Sequence, residues 1–124
     1  MSDDSPTLLV VDDEARILSA LRRSLRREGW RVLTAATPAE ALRLLDEEPI
    51  DAVLSDHKMP RMSGLDVLEA AALRRPAAAR ILISGWPDEI PPERLRALGI
   101  RALVPKPWDD AELKRILREA LGSS

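Results

Sequence analysis

Five short apolar runs, each followed by a stretch with helical periodicity, constrain the fold of this chain most strongly. The runs start near Thr7, Trp30, Ile50, Ala79 and Ile100 and are almost continuously apolar. Strands of this kind are typical of parallel sheets, because helices cover both faces of such sheets. The alternation therefore predicts an α/β domain of five βα units, and the right-handed crossover rule restricts its topology further.

The predicted strands cover residues 7–11, 30–35, 50–55, 79–83 and 100–104. Helices are predicted at 14–28, 38–47 and 63–75, with a short helix opened by Pro91-Pro92-Glu93 and a last one capped by Asp109. Gly29 and Gly99 are expected to end the first and fourth helices, since glycine accepts the left-handed conformation there. The expected architecture is a doubly wound, flavodoxin-like sheet with strand order 2-1-3-4-5. Residues 1–124 should form a single domain, with 1–5 and 122–124 disordered.

The composition excludes several classes of function. Lys and Arg total 19 against 21 Asp and Glu, so the net charge of −2 gives no general attraction to nucleic acid or anionic lipid. The basic run at Arg22, Arg23, Arg26 and Arg27 is interpreted as a solvated helix face. Cysteine is absent, which excludes disulfides and thiolate metal sites. The first residues contain no apolar core and no run could span a bilayer, so a cytoplasmic protein without membrane contact is expected.

Polar residues follow four of the predicted strands. Asp12 and Asp13 follow the first, Asp56 the third, Ser84 the fourth and Lys106 the fifth. In a doubly wound sheet the carboxyl ends of parallel strands meet at one edge, and ligands bind where the strand order reverses, between strands one and three. Three carboxylates, a hydroxyl and an ammonium at that edge suit a divalent cation and a phosphate better than a hydrophobic core.

The chemistry of these groups points to phosphoryl transfer. A carboxylate such as that of Asp56 can attack phosphorus and form an acyl phosphate. Magnesium offsets the repulsion among the acids, since it takes one or two carboxylates and keeps several waters. Lys106 would supply a point charge to the phosphoryl oxygens, and Ser84 would donate a hydrogen bond to them.

Each signal also has an ordinary structural interpretation. Asp12 or Asp13 alone could cap the first helix, Asp56 and Ser84 could be turn residues, and Lys106 could be a solvated surface lysine. Their joint placement at successive strand ends is what favours a shared site.

Four motifs together resemble a response-regulator receiver domain of two-component signalling, over essentially the whole chain. They are Val-Val-Asp-Asp-Glu at 10–14, Ser-Asp-His-Lys-Met-Pro-Arg-Met-Ser-Gly at 55–64, Leu-Ile-Ser-Gly at 82–85 and Val-Pro-Lys-Pro at 104–107. The resemblance implies that Asp56 is the phosphoacceptor and that Ser84 is the switch hydroxyl. It implies that Lys106 contacts the phosphoryl group. It further implies Mg²⁺ or Mn²⁺ bound by Asp12, Asp13, Asp56 and the backbone carbonyl of Lys58.

The resemblance also carries expectations about partners. The phosphoryl donor would be a sensor histidine kinase or a phosphotransfer protein, and the phosphoryl group would be lost slowly to water, with no external substrate. The output surface would lie around residues 92–121, where a homodimer or an unknown output domain could dock. The Lys106–Pro107 peptide bond is expected to be cis. The Ser84-Gly85-Trp86 and Lys106-Pro107-Trp108 segments look like those of receivers attached to cyclic-di-nucleotide phosphodiesterase or transcription-activator outputs.

One departure from the family pattern affects the switch. Receivers usually carry Tyr or Phe three residues before the lysine, whereas this chain has Leu103 there and no Tyr or Phe at all. One hypothesis is that Trp86 reads the phosphorylation state, and the alternative is that it only packs on the surface. His57 is expected to be a solvent-facing spacer. In the family, the positions of Lys58 and Trp86 influence how fast the phosphoryl group is hydrolysed.

Two other functions are weighed against the switch. A receiver that binds partners without phosphorylation is the main alternative, because the usual aromatic is missing. A haloacid-dehalogenase-like phosphatase would need a second Asp two residues after the nucleophile, and Lys58 occupies that position.

Overall fold

A computed structural model describes residues 5–59 and 63–121 of the chain. These residues form one five-stranded parallel sheet in the order β2-β1-β3-β4-β5, which confirms the predicted topology. The strands are β1 (Thr7–Val11), β2 (Arg31–Ala35), β3 (Ala52–Asp56), β4 (Ala79–Ser84) and β5 (Ile100–Pro105). The prediction about the chain ends lies outside the described residues, apart from Ser5.

Helices connect the strands in the predicted order. They are α1 (Ala15–Arg26), α2 (Pro38–Glu47), α3 (Gly64–Arg74), α4 (Pro92–Ala97) and α5 (Asp110–Leu121). Gly29 and Gly99 have φ angles of +89° and +66°, so both take the left-handed conformation predicted for helix ends. Ser63 and Asp66 form a capping box at the start of α3, where the third helix was predicted to begin.

The two faces of the sheet bury separate aliphatic cores, because alternate strand residues point to opposite sides. One core joins Leu8, Val10 and Leu54 to buried leucines of α1 and α5. The other joins Leu9, Val11, Val53 and Leu82 to buried residues of α2 and α3. β1 and β3 are buried along their whole length, so the residues at their ends are held by packing from both sides.

Several element boundaries differ from the predicted ones. Strands three and four were expected to end at residues 55 and 83, but parallel pairing extends them to Asp56 and Ser84. The second strand begins at Arg31, and the first helix is shorter at both ends than predicted. A 3₁₀ helix at Pro87–Glu89, η1, was not predicted, because a single proline-led turn has no periodicity to detect.

Candidate functional site

Three aspartates meet at the carboxyl edge of the sheet, as predicted. Asp12 and Asp13 follow β1, and Asp56 ends β3, the neighbouring strand. Each offers a carboxylate oxygen, and these atoms all lie within 4.8 Å of one another. Asp12 and Asp56 are 3% and 6% exposed, whereas Asp13 is exposed to solvent. We call these residues the acidic cluster, and their spacing fits a single hard cation with oxygen ligands.

The pKa of Asp12 shows the cost of crowding these acids. This pKa is raised from 3.8 to about 6, mainly by burial and in smaller part by the negative charges of Asp56 and Asp13. A hydrogen bond from the Glu14 N–H, 2.9 Å from Oδ1, lowers the pKa but does not cancel the effect of burial. The acidic cluster therefore holds a carboxylate that would be stabilised by a nearby positive charge.

Lys106 already supplies one such charge. Its Nζ lies 2.9 Å from Asp56 Oδ1. Partial burial lowers the pKa of Lys106, but the hydrogen bond and charge of Asp56 outweigh this and the net pKa is raised. The ammonium therefore stays protonated at neutral pH. The backbone N–H of Lys106 donates to the Ser84 carbonyl at 2.9 Å, and the predicted cis bond to Pro107 is present.

Ser84 ends β4 with its side chain fully buried at 0% exposure. Its Oγ lies 3.0 Å from His57 Nδ1 and accepts a hydrogen bond from the backbone N–H of Trp86 at 2.9 Å. We call His57, Ser84 and Trp86 the hydroxyl cluster. The expectation that His57 is a solvent-facing spacer is wrong, because its ring is half-buried against the residue that ends the neighbouring strand.

The observed register of the sheet explains this contact. β3 and β4 pair with Asp56 opposite Ile83, so His57, which follows the end of β3, lies beside Ser84, the last residue of β4. Burial lowers the pKa of His57, and the adjacent Lys58 charge lowers it further. Both effects favour the neutral form of the imidazole.

A pocket of about 310 Å³ opens above the acidic cluster. Trp86 stands at its mouth with 54% of its surface exposed, and Lys58 Nζ lies 4.2 Å from the centre of the indole ring. Lys58 also pairs with Glu89 at 3.5 Å. The lining residues are Asp13, Glu14, Asp56, His57, Lys58, Gly85, Trp86 and Lys106. The pocket is therefore polar and large enough for a phosphoryl group.

Gly64 supports the site from below. Its N–H donates to the His57 carbonyl at 2.6 Å, and a Cβ placed on Gly64 would lie 1.9 Å from the Asp56 carbonyl oxygen. Only glycine allows α3 to start this close to the end of β3. The intervening motif residues 60–62 lie outside the described part of the chain.

The capping interpretation of the two upstream aspartates is wrong. The N-cap of α1 is Glu14, with no side-chain capping bond. Asp12 instead accepts a hydrogen bond from the backbone N–H of Glu14. Leu103, at the position where an aromatic was expected, is half-buried and packs against the core that contains Leu9.

The chain matches a known protein family over most of its length. The family model for the response regulator receiver domain matches residues 8–118. The chain therefore belongs to the response-regulator receiver family, whose members act as signalling modules of two-component systems. No helix in the described ranges is long and apolar enough to cross a membrane.

Individual relatives agree with this assignment. The chain is 40% identical over 122 residues to the hydrogenase transcriptional regulatory protein HoxA of Cupriavidus necator, covering 98% of this chain and 25% of the relative. It is 34% identical to the signal receiver domain of an HD domain-containing protein from Pseudomonas fluorescens Pf-5, with a TM-score of 0.88 and 95% of each chain covered.

A third relative carries a metal. The receiver domain of a sensor histidine kinase from Pseudomonas aeruginosa PAO1, solved with a magnesium ion coordinated in its active-site cleft, is 25% identical to this chain. Its TM-score is 0.82, and 96% of this chain and 99% of that one are covered. The chain spans about a quarter to a half of the length of curated relatives such as HoxA.

Proposed function

We propose that this chain is a phosphorylation-dependent switch in which Asp56 accepts a phosphoryl group. The observation that carries the proposal is the acidic cluster, with three carboxylates within 4.8 Å of one another and Lys106 at 2.9 Å from Asp56. Buried acids that crowd without a structural role cost stability, so a ligand that neutralises them is the simplest reason for the arrangement.

We further propose that Mg²⁺ or Mn²⁺ binds to Asp12, Asp13 and Asp56, with the backbone carbonyl of Lys58 as a further ligand. The donor set fits, because hard divalent cations prefer carboxylate and carbonyl oxygens and keep part of their water shell. The exposed Asp13 and the open pocket leave room for those waters. When bound, the ion neutralises charge on the phosphoryl oxygens and on the attacking carboxylate.

The protein groups do the positioning. A carboxylate oxygen of Asp56 forms a bond to phosphorus while the bond from phosphorus to the donor breaks, giving an acyl phosphate. Lys106 then exchanges part of its contact with Asp56 for the phosphoryl oxygens, and Ser84 donates its hydroxyl proton to the same group. Catalysis of this kind is mostly positioning and electrostatics, so these few residues suffice.

The Trp86 indole and the Lys58 side chain over it shield the phosphoryl group in this proposal. Both line the pocket, and Trp86 is more than half exposed to the water that would attack the phosphoryl group. The acyl phosphate of Trp86→Ala should therefore hydrolyse faster than that of Leu73→Ala, a control at an exposed apolar residue on α3. Equal hydrolysis rates would contradict the shielding role.

The phosphoryl donor in this proposal is a sensor histidine kinase or a phosphotransfer protein. The output surface is formed by α4, β5 and α5. A second copy of the chain, or an output domain elsewhere in a longer regulator, docks on this surface. Relatives that include a transcriptional regulator and an HD domain-containing protein support an attached output. Sedimentation with and without Mg²⁺ and beryllofluoride tests dimer formation, and an unchanged monomer would exclude it.

Intact-mass spectrometry after incubation with acetyl phosphate and Mg²⁺ tests the central step. Wild type should gain the mass of one phosphoryl group, and the gain should disappear with EDTA and in Asp56→Asn. Asp46→Asn, which alters an exposed ion pair with Arg74, should keep the gain. A wild-type protein without added mass would favour the phosphorylation-independent binding module, which the core packing of Leu103 in place of an aromatic also favours.

A further inference from the structure

The hydroxyl of Ser84 is already engaged before any phosphoryl group arrives. The side chain is fully buried, and its Oγ contacts His57 Nδ1 at 3.0 Å and the Trp86 N–H at 2.9 Å. A serine hydroxyl has one proton to donate. Oγ can accept from the backbone N–H of Trp86 while it donates its own proton, and we assign that proton to the 3.0 Å contact with His57 Nδ1, with the ring proton on Nε2.

His57 is held firmly in the position from which it makes this bond. Its backbone nitrogen lies 3.0 Å from Asp56 Oδ1 and 2.8 Å from the Ile83 carbonyl oxygen, and its N–H donates to both. Its own carbonyl accepts from the Gly64 N–H at 2.6 Å. The backbone of His57 therefore contacts the phosphoacceptor while its side chain contacts the switch hydroxyl.

We propose that His57 is a positioning residue that holds the Ser84 hydroxyl in the resting state, and that phosphoryl capture exchanges the Ser84–His57 hydrogen bond for one from Ser84 to the phosphoryl group. The inference rests on the proposed function, because it assigns the resting partner of the hydroxyl that the phosphoryl group attracts. The single hydroxyl proton serves one acceptor at a time, so the two bonds compete.

The competition has a measurable consequence. Removing the resting bond should favour the captured state by the net worth of one hydrogen bond, which corresponds to a change of about two- to tenfold in affinity. His57→Leu removes the ring nitrogen and keeps a side chain of similar bulk. His57→Asn places an amide group near the position of Nδ1 and serves as the matched control.

The test measures the affinity of each variant for beryllofluoride, a phosphoryl mimic, at saturating Mg²⁺. His57→Leu should bind about two- to tenfold more tightly than wild type, and His57→Asn should bind within about twofold of wild type. In a Ser84→Ala background, His57→Leu should change nothing. Equal affinity for wild type and His57→Leu, or an undiminished effect without the Ser84 hydroxyl, would overturn the inference.

A measurement on the wild-type protein keeps the inference testable if His57→Leu fails to fold. The ¹⁵N resonance of Nδ1 should move towards that of an imidazole nitrogen without a hydrogen-bond donor when Mg²⁺ and beryllofluoride are added. An unchanged resonance in a protein that binds beryllofluoride overturns only the role of His57. A wild-type protein that does not bind beryllofluoride at all overturns the proposed function as well.

Discussion

The acidic cluster and the hydroxyl cluster lie side by side at one edge of the sheet but are built in opposite ways. The acidic cluster is assembled in advance, with three carboxylates sharing one small space and Lys106 in contact with Asp56. The hydroxyl cluster is closed on itself, because the Ser84 hydroxyl is buried and bonded to His57 and Trp86. Under the proposed function, capture of a phosphoryl group would need little rearrangement, whereas its detection would need an exchange of hydrogen bonds.

The difference follows from what supports each cluster. Asp12 and Asp56 stand at the ends of β1 and β3, which are buried on both faces and cannot shift without disturbing both cores. Trp86 belongs to a loop that leads into η1 and is half exposed. Buried strands thus hold the acidic cluster, whereas the hydroxyl cluster includes one residue, Trp86, in an exposed loop.

Gly64→Ala should have the largest effect on the free energy of unfolding, because it disturbs the packing of α3 against β3, which carries Asp56 of the acidic cluster. A Cβ there would meet the Asp56 carbonyl oxygen at 1.9 Å, so α3 must move away from the end of β3. We expect a loss of about 3 kcal/mol in the free energy of unfolding, measured by urea denaturation, together with weaker Mg²⁺ binding.

Gly85→Ala, between Ser84 and Trp86 of the hydroxyl cluster, is the matched control. A Cβ on Gly85 has no atom within 4 Å, and its φ does not lie in the left-handed region. It should change the free energy of unfolding by less than about 0.5 kcal/mol. Similar losses in both variants would show that the two clusters do not differ in packing as described.

Asp12→Asn should stabilise the metal-free domain at neutral pH. The pKa of Asp12 in the folded protein is about 6, above its ordinary value of 3.8. The stability that comes from protonating Asp12 is therefore fully present below pH 3.8 and is lost as the pH rises through 6. In EDTA the variant should gain on the order of 2 kcal/mol at pH 7.5 and little at pH 4.

Magnesium should reverse that ranking, since it stabilises wild type and binds the variant poorly. Thermal unfolding of both proteins at the two pH values, with and without Mg²⁺, checks the prediction. A gain in EDTA that does not depend on pH would mean that charge crowding is not the cause.

At Trp86 the main expected change is in fluorescence, and the free energy of unfolding should change little. Mg²⁺ with beryllofluoride should alter the tryptophan fluorescence. The backbone N–H of Trp86 donates to the Ser84 hydroxyl, whose hydrogen bond to His57 is the one exchanged. Trp86→Phe keeps an aromatic ring under Lys58 and should cost less than about 1 kcal/mol, yet it should abolish the fluorescence change. Trp108→Phe, at a ring packed against the core, should retain the change. If the fluorescence change survives in Trp86→Phe, the loop does not report phosphorylation.

The predictable part of this molecule is the part that depends on strand ends. The apolar runs predicted five parallel strands, and that sheet alone was enough to expect Asp12, Asp13 and Asp56 in one place. Contacts set by loops were missed, because no periodicity describes them. The bond from His57 to Ser84, the Lys58 side chain over Trp86 and the close approach of Gly64 to Asp56 all depend on side-chain rotamers or helix docking after a strand ends.

The most direct test of the account is a crystal structure of the domain with Mg²⁺ and beryllofluoride. We expect the ion among the carboxylates of the acidic cluster, beryllofluoride on Asp56 with Lys106 Nζ beside it, and Ser84 Oγ turned from His57 towards the bound group. The Cα positions of β1 and β3 should match those of the free protein. An ion bound elsewhere, or beryllofluoride absent from Asp56, would contradict the central claim.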